Sequence, residues 1–264
     1  MRKLFLFTAA LCFCVSTISQ SVAPDEALLA KTRALYDAPF TRGLVSFDCA
    51  VKFDWKQHFI DLLGSVPPTA SPLVERLQTI EHRVFVDRSG ATVSAIPKVP
   101  DLSAVAHATE LEQGYTMIVT GGLNAWLPFG TNVILPIPPT KFTLEKANPS
   151  FTLTMSANNV QATILLDSDM RMTSVVSQLP QPIHSATEFS DGPSGYLLKM
   201  LKMSDPSNPS AGSQNTFAYT YQTVQNIQLP ASVAITTATP ESWRFSLTDC
   251  KAIVGKVVNV SPPR

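Results

Sequence analysis

The sequence predicts an α+β domain: a curved antiparallel sheet of about eight to ten strands with helices covering its concave side. Two observations carry that expectation. From Lys141 to Cys250, short alternating apolar runs follow one another, joined by turn residues. Ahead of them, segments of helical spacing surround one clean strand and one hairpin. The 21 prolines against 11 glycines add many stiff turns and argue against a long helical bundle.

Each element has its own signal. Asp25 can cap a short helix carrying Leu28, Thr32, Leu35 and Tyr36, closed by Pro39. Val45, Phe47, Cys49, Val51 and Phe53 then alternate with Ser46, Asp48, Lys52 and Asp54, the pattern of a half-buried strand. Trp55, Phe59, Leu62 and Leu63 return to helical spacing, and Gly64 can end that helix. Ser71-Pro72 reads as a cap and first turn leading Leu73, Val74, Leu77 and Ile80 along one face. Residues 83–87 and 91–96 form a hairpin around Arg88-Ser89-Gly90. The Ala-rich stretch from Asp101 to Gln113 reads as helix, and Tyr115 to Thr120 as a strand ending at Gly121-Gly122. Leu127 to Thr140, broken by four prolines yet apolar, is expected to pack over the fold as a loop. The meander follows, with turns at Asn158-Asn159, Asp167-Ser168 and Asp191-Gly192-Pro193 and a polar loop through Pro206, Asn208, Pro209 and Gly212.

The N-terminus gives the compartment. Arg2 and Lys3 precede an apolar run from Leu4 to Val15, then a small and polar stretch to Ala23. That is the order of a secretory signal peptide over residues 1–23, with cleavage between Ser19 and Ala23. The run is too short to span a ~30 Å bilayer. Leu11 and Phe13 stand where a lipidated cysteine needs a small residue, which removes a lipoprotein reading of Cys12 and Cys14. The mature chain, residues 24–264, is expected to be one domain without a transmembrane span, periplasmic or secreted. It keeps Cys49 and Cys250. Two cysteines in an exported chain most simply form one disulfide. Two buried free thiols are the alternative. Cys250 lies off the parity of Trp243, Phe245 and Leu247, so the bond requires a bulge near Asp249.

Composition excludes several functions. Basic and acidic side chains balance at 20 each, which argues against a nucleic-acid binder. Charged residues make up 15% of the chain against about 25% in an average one. His58, His82, His107 and His184 fall in four different segments without metal-site spacing, and two isolated cysteines make no zinc site. No metal and no cofactor is expected. Gly192-Pro193-Ser194-Gly195-Tyr196 misses the nucleophile-elbow spacing by one residue and lies between strands. Asp167-Ser168-Asp169 reads as turn chemistry. Nothing nominates a catalytic residue, so the chain reads as a non-enzyme.

Apolar side chains on the meander stand out instead. Phe217, Tyr219 and Tyr221 share one face of a strand, Trp243, Phe245 and Leu247 another, and Val233 and Ile235 lie between. Such a face must be covered by helices, loops or a ligand. Met200 and Met203 suit an adaptable apolar surface. Parity nominates Val51, Phe53, Phe151, Leu153, Met155, Phe217, Tyr219, Val233, Trp243 and Phe245 as lining a ligand cavity.

The helix from Asp25 to Tyr36, the strand from Leu44 to Phe53 and the meander from Phe151 to Cys250 resemble the lipoprotein-carrier superfamily of periplasmic lipoprotein-sorting proteins. The run from Ile164 to Arg171 is similar to a strand-turn-strand of that family, and Tyr221 to Pro230 to its tyrosine-to-Leu-Pro connection. The resemblance covers about two-thirds of the mature chain and implies a half-barrel whose hollow binds acyl chains under helical lids. The expected function is thus a non-enzymatic carrier or binder of lipid or lipidated protein in the bacterial envelope. The alternative is an interaction module with a dry sheet core that docks another envelope protein. A secreted hydrolase ranks behind both.

Overall fold

In the computed structural model, residues 24–69, 71–78, 81–96, 108–137, 140–157, 160–178, 182–205, 214–237 and 242–255 are described. The expected leader, the first part of the Ala-rich helix, the Asn158-Asn159 turn and the Pro206–Gly212 loop lie outside them. Four α-helices are present among the described residues: α1 (Pro24–Ala34), α2 (Trp55–Leu63), α3 (Ser71–Gln78) and α4 (Ala108–Gly130). A 3-10 turn, Pro39–Arg42, joins α1 to the first strand.

Among the described residues twelve strands occur: β1 (Leu44–Phe53), β2 (Glu81–Asp87), β3 (Gly90–Ile96), β4 (Lys141–Ala147), β5 (Ser150–Ala157), β6 (Val160–Leu166), β7 (Met172–Gln178), β8 (Pro182–Gly192), β9 (Gly195–Ser204), β10 (Gln214–Val224), β11 (Ile227–Thr237) and β12 (Ser242–Val254). They form one open antiparallel sheet in the order β3-β2-β1-β12-β11-β10-β9-β8-β7-β6-β5-β4. The count exceeds the expected eight to ten, because the β2–β3 hairpin and β4 extend the sheet at its two ends.

Local chemistry explains most boundaries. The Asp54 carboxylate accepts the Gln57 amide at 3.0 Å and caps α2, and Gly64, at φ 76°, closes it. Gln225 and Asn226 take positive φ in the two-residue turn between β10 and β11. Val45 is a correction. A register shift between Leu44 and Ser46 turns its side chain out, 50% exposed, off the apolar face of β1.

The largest correction is α4. Tyr115 to Thr120 is helix, and Gly121-Gly122 continues it through Pro128 in the last turns. Tyr115, Val119, Leu123 and Trp126 lie along one stripe, each 2% exposed or less. Only the later part of the expected loop, from Thr131, is loop. There Leu135 is fully buried.

Helix α4 also defines the curvature. The Gly122 carbonyl accepts the Tyr219 hydroxyl of β10 at 3.0 Å. Two residues on, Asn124 Oδ1 accepts the amide of Ala91 in β3 at 2.9 Å. Strands β3 and β10 are five spacings apart, about 24 Å if flat. The amide of an edge strand points in the plane of the sheet, yet here it meets a helix lying on the face. The sheet therefore curls around α4 as a half-barrel, with its helices in the hollow. One apolar cluster joins α4 to β1, β2 and β9–β12. A second holds Leu29, Tyr36 and Leu135 against Leu153, Ile164, Leu166 and Met172.

Helix α1 enters that second cluster through a tight contact. Tyr196 donates its amide to the Leu35 carbonyl at 2.7 Å, and Asp37 donates to the Tyr196 carbonyl at 3.0 Å. Gly195, at φ 134°, makes room, since a Cβ there would lie 2.4 Å from the Leu35 oxygen. Gly195→Ala is expected to cost about 2–3 kcal/mol and lower Tm by roughly 5 °C in calorimetry. An unchanged Tm would contradict this docking.

Candidate functional site

Strand pairing brings the parity-chosen residues into rows. Phe53, Phe245, Val233 and Tyr219 lie side by side across β1, β12, β11 and β10, with Phe217, Ile235 and Trp243 in the next row. Helix α4 lies on these rows: a Cβ at Gly122 would stand 3.2 Å from Val233 and Ile235 and 3.3 Å from Phe245. Tyr219, Val233 and Phe245 are thus buried under the chain's own helix, and Phe217 is buried beside them. Trp243 is half-buried and stacks on His58, with ring centroids 3.7 Å apart. Leu153 is fully buried in the second cluster, with Phe151 packed against it. Met155, half-buried, faces Phe142 of β4. The ten do not share one open hollow.

Val51 and Phe53 do line a cavity. Pairing of β1 with β2 stops at Val51 and His82, while β1 continues to Phe53 beside β12. Helices α2 and α3 connect these strands in the chain. A cavity of about 480 Å³ opens there, lined by Trp55 of α2, Leu77 of α3 and Tyr115 of α4 together with Val51, Phe53 and His82. Ligand sites commonly span about 300–1,000 Å³. Its aromatic wall is mutually packed, with Phe53 4.5 Å from Trp55 and 5.2 Å from Tyr115, and Tyr115 4.3 Å from His82.

Charge sits at the rim, where Lys52, Glu81 and Asp249 contribute. Arg83 pairs with Asp48 and lies 3.7 Å from Glu81; the hydrogen bond it donates to Asp48 is the main cause that raises its pKa. Asp249 owes its position to a bulge. The β1–β12 register jumps from Asp48 opposite Lys251 to Ala50 opposite Thr248, so Asp249 and Cys250 together oppose Cys49. Asp249 takes φ 50°, and Cys250 turns onto Cys49 to form the disulfide. Gln222 donates to Cys250 Sγ at 3.3 Å and to the Leu247 carbonyl at 2.9 Å.

Other reactive groups have structural partners. The Ser242 hydroxyl bonds Asp61, while His58 Nδ1 lies 3.2 Å from the Ser242 carbonyl rather than its hydroxyl. Hydrogen bonds from Ser242 first, then Gln57, hold the Asp61 carboxyl below the usual carboxylate range. Asp167 Oδ1 accepts the amides of Asp169 and Arg171, closing the β6–β7 turn. Gly192 pairs with Gly195 in the β8–β9 hairpin. No cluster of three metal-ligating side chains occurs among the described residues, and no described helix is long and apolar enough to cross a membrane.

Sequence reasoning missed Tyr115, Trp55, Leu77 and His82 as cavity residues. Trp55 and Leu77 were legible only as the apolar faces of short helices. Tyr115, read as strand, had no face assigned.

No protein-family model matches the chain, and no curated protein does. A LolA superfamily protein from Nitrosomonas europaea is similar at 11% identity and a TM-score of 0.32, over 87% of this chain and 94% of its own. A candidate outer membrane lipoprotein-sorting protein domain from Vibrio parahaemolyticus is similar at 10% identity and a TM-score of 0.33, over 86% of this chain and 92% of its own.

Proposed function

We propose that residues 24–264 form one exported domain that binds or carries lipid or lipidated protein in the bacterial envelope, without catalysing a reaction. The observation that carries this reading is the cavity beside β1 and β2, where Phe53, Trp55 and Tyr115 meet the polar and charged residues Lys52, Gln78, Glu81 and Asp249. Each acyl methylene buried there would contribute about 0.8 kcal/mol. The signal-peptide pattern and the Cys49–Cys250 disulfide support an oxidising compartment.

One observation favours the alternative. Helix α4 already fills much of the concave face, as a dry interaction module with an envelope partner would require. Mass spectrometry of organic extracts from protein purified without detergent, out of an export-competent host, separates the two. Stoichiometric lipid is expected. Lipid-free protein that also fails to take up a hydrophobic dye would favour the interaction module.

A further inference from the structure

We infer that β4 pairs with the β4 of a second copy of this chain, antiparallel about Thr143, so that two half-barrels join edge to edge. Strand β4 ends the sheet, and among the described residues no strand pairs with its outer edge. The two-residue turn Asn148-Pro149 closes on Ala147 and Ser150 as a hydrogen-bonded pair. Bonding alternates along the ladder from there, so Glu145, Thr143 and Lys141 turn their main-chain groups to β5. Lys146, Leu144 and Phe142 turn theirs to the open edge.

The side chains of β4 show which partner fits. Lys141, Thr143 and Glu145 are exposed on one face, while Phe142 and Leu144 are half-buried against the second apolar cluster. Leu153, opposite Leu144 and one strand further in, is fully buried. A further strand at this edge would give β4 the burial that β5 already has. Charged residues on an edge commonly prevent pairing. Here they are of opposite sign and equally far from Thr143. Antiparallel pairing on Thr143 sets Lys141 opposite the partner's Glu145. It also sets Phe142 opposite the partner's Leu144, where both offer main-chain groups to the open edge. Within one chain the two charges do not meet: they stand about 13 Å apart along the strand. Across β5, Ser156 and Thr152 lie opposite them. A slip of one residue would match outward-bonding residues with inward-bonding ones. A shift of two would put Lys146 against the partner's Phe142, or carry Glu145 past the start of the partner's β4. Residues directly opposite share a face, so the two hollows would open to the same side.

Light scattering and sedimentation equilibrium of the exported protein test this. The mass is expected to rise from one chain to two between about 1 and 100 µM, as a small interface requires. Lys141→Glu and Glu145→Lys, each alone, set like charges opposite at both ends of the paired strands and should weaken the dimer about tenfold or more. The double variant Lys141→Glu/Glu145→Lys restores both opposite-charge pairs and should dimerise as the wild type does. Circular dichroism of all three should match the wild type, since these side chains are exposed. Thr143→Cys should give a disulfide-linked dimer on mild oxidation, because a pair without main-chain bonds stands about 4.5 Å apart at Cα. A single chain at every concentration overturns the pairing. A dimer indifferent to the single reversals, not rescued by the double one, or left unlinked in Thr143→Cys overturns the register on Thr143.

Discussion

Removing the Cys49–Cys250 bond in a Cys49→Ala/Cys250→Ala variant is expected to lower stability by about 3–5 kcal/mol. The bond spans 201 residues of sequence, so its loss frees a very long loop in the unfolded chain. It also ties β1 to β12, the pair through which β1–β3 join the rest of the sheet. Chain entropy and location therefore act in the same direction. The two alanines add little, because each replaces a small side chain beside the β1–β12 ladder. Denaturant unfolding gives the test: the midpoint should fall in the variant, and in the wild type under reductant, with little change in slope. Equal midpoints would mean that the ladder alone holds these strands and the bond constrains nothing.

Alkaline pH is expected to unfold the protein cooperatively. Burial is the main cause that raises the pKa of Tyr36, Tyr115, Tyr219 and Tyr221 above the ordinary tyrosine value. Three of these phenols donate to main-chain carbonyls and would lose that bond on ionising. In the unfolded chain each ionises near pH 10. Below that pH their contribution to stability is complete. Above it the unfolded state has released protons the folded state retains, so stability falls by about 1.4 kcal/mol per pH unit for each phenol. With four acting together the slope reaches roughly 5 kcal/mol per pH unit. Phenolate absorbance and circular dichroism, followed together as pH rises, should change in one coincident transition. Gradual ionisation of these phenols within a folded protein would contradict their burial.

The meander was legible because alternation and turn chemistry agree along it. Phe151, Leu153 and Met155 alternate with threonine and serine, and Asp167 occupies a turn of the kind its side chain favours. The disulfide was legible as the simplest use of two cysteines in an exported chain, and Cys250's broken parity, which argued against it, is reconciled by the bulge at Asp249. Helix α4 was legible only in its first part, residues 108–113. Tyr115 to Thr120 is rich in β-branched and aromatic residues, and two glycines follow, which locally reads as a strand and its end. Burial under the curled sheet overrode that preference, and Gly122 serves close approach to Val233, Ile235 and Phe245. The helical spacing of Tyr115, Val119, Leu123 and Trp126 was the signal that had to be weighed across the glycines. The cavity had no local signature, because it arises where β1 and β2 separate around an insertion.

Pairing of β1 with β12 also orders the molecule in time. A chain made from its N-terminus holds β1 with one edge served by β2 and the other bare until Ser242–Val254 has been synthesised. Helix α4, by contrast, exists well before the last strands that curl around it. Such distant pairing slows folding, and bare strand edges invite wrong partners while they wait. The last strand made is thus the latch, and until it arrives the half-barrel has no middle.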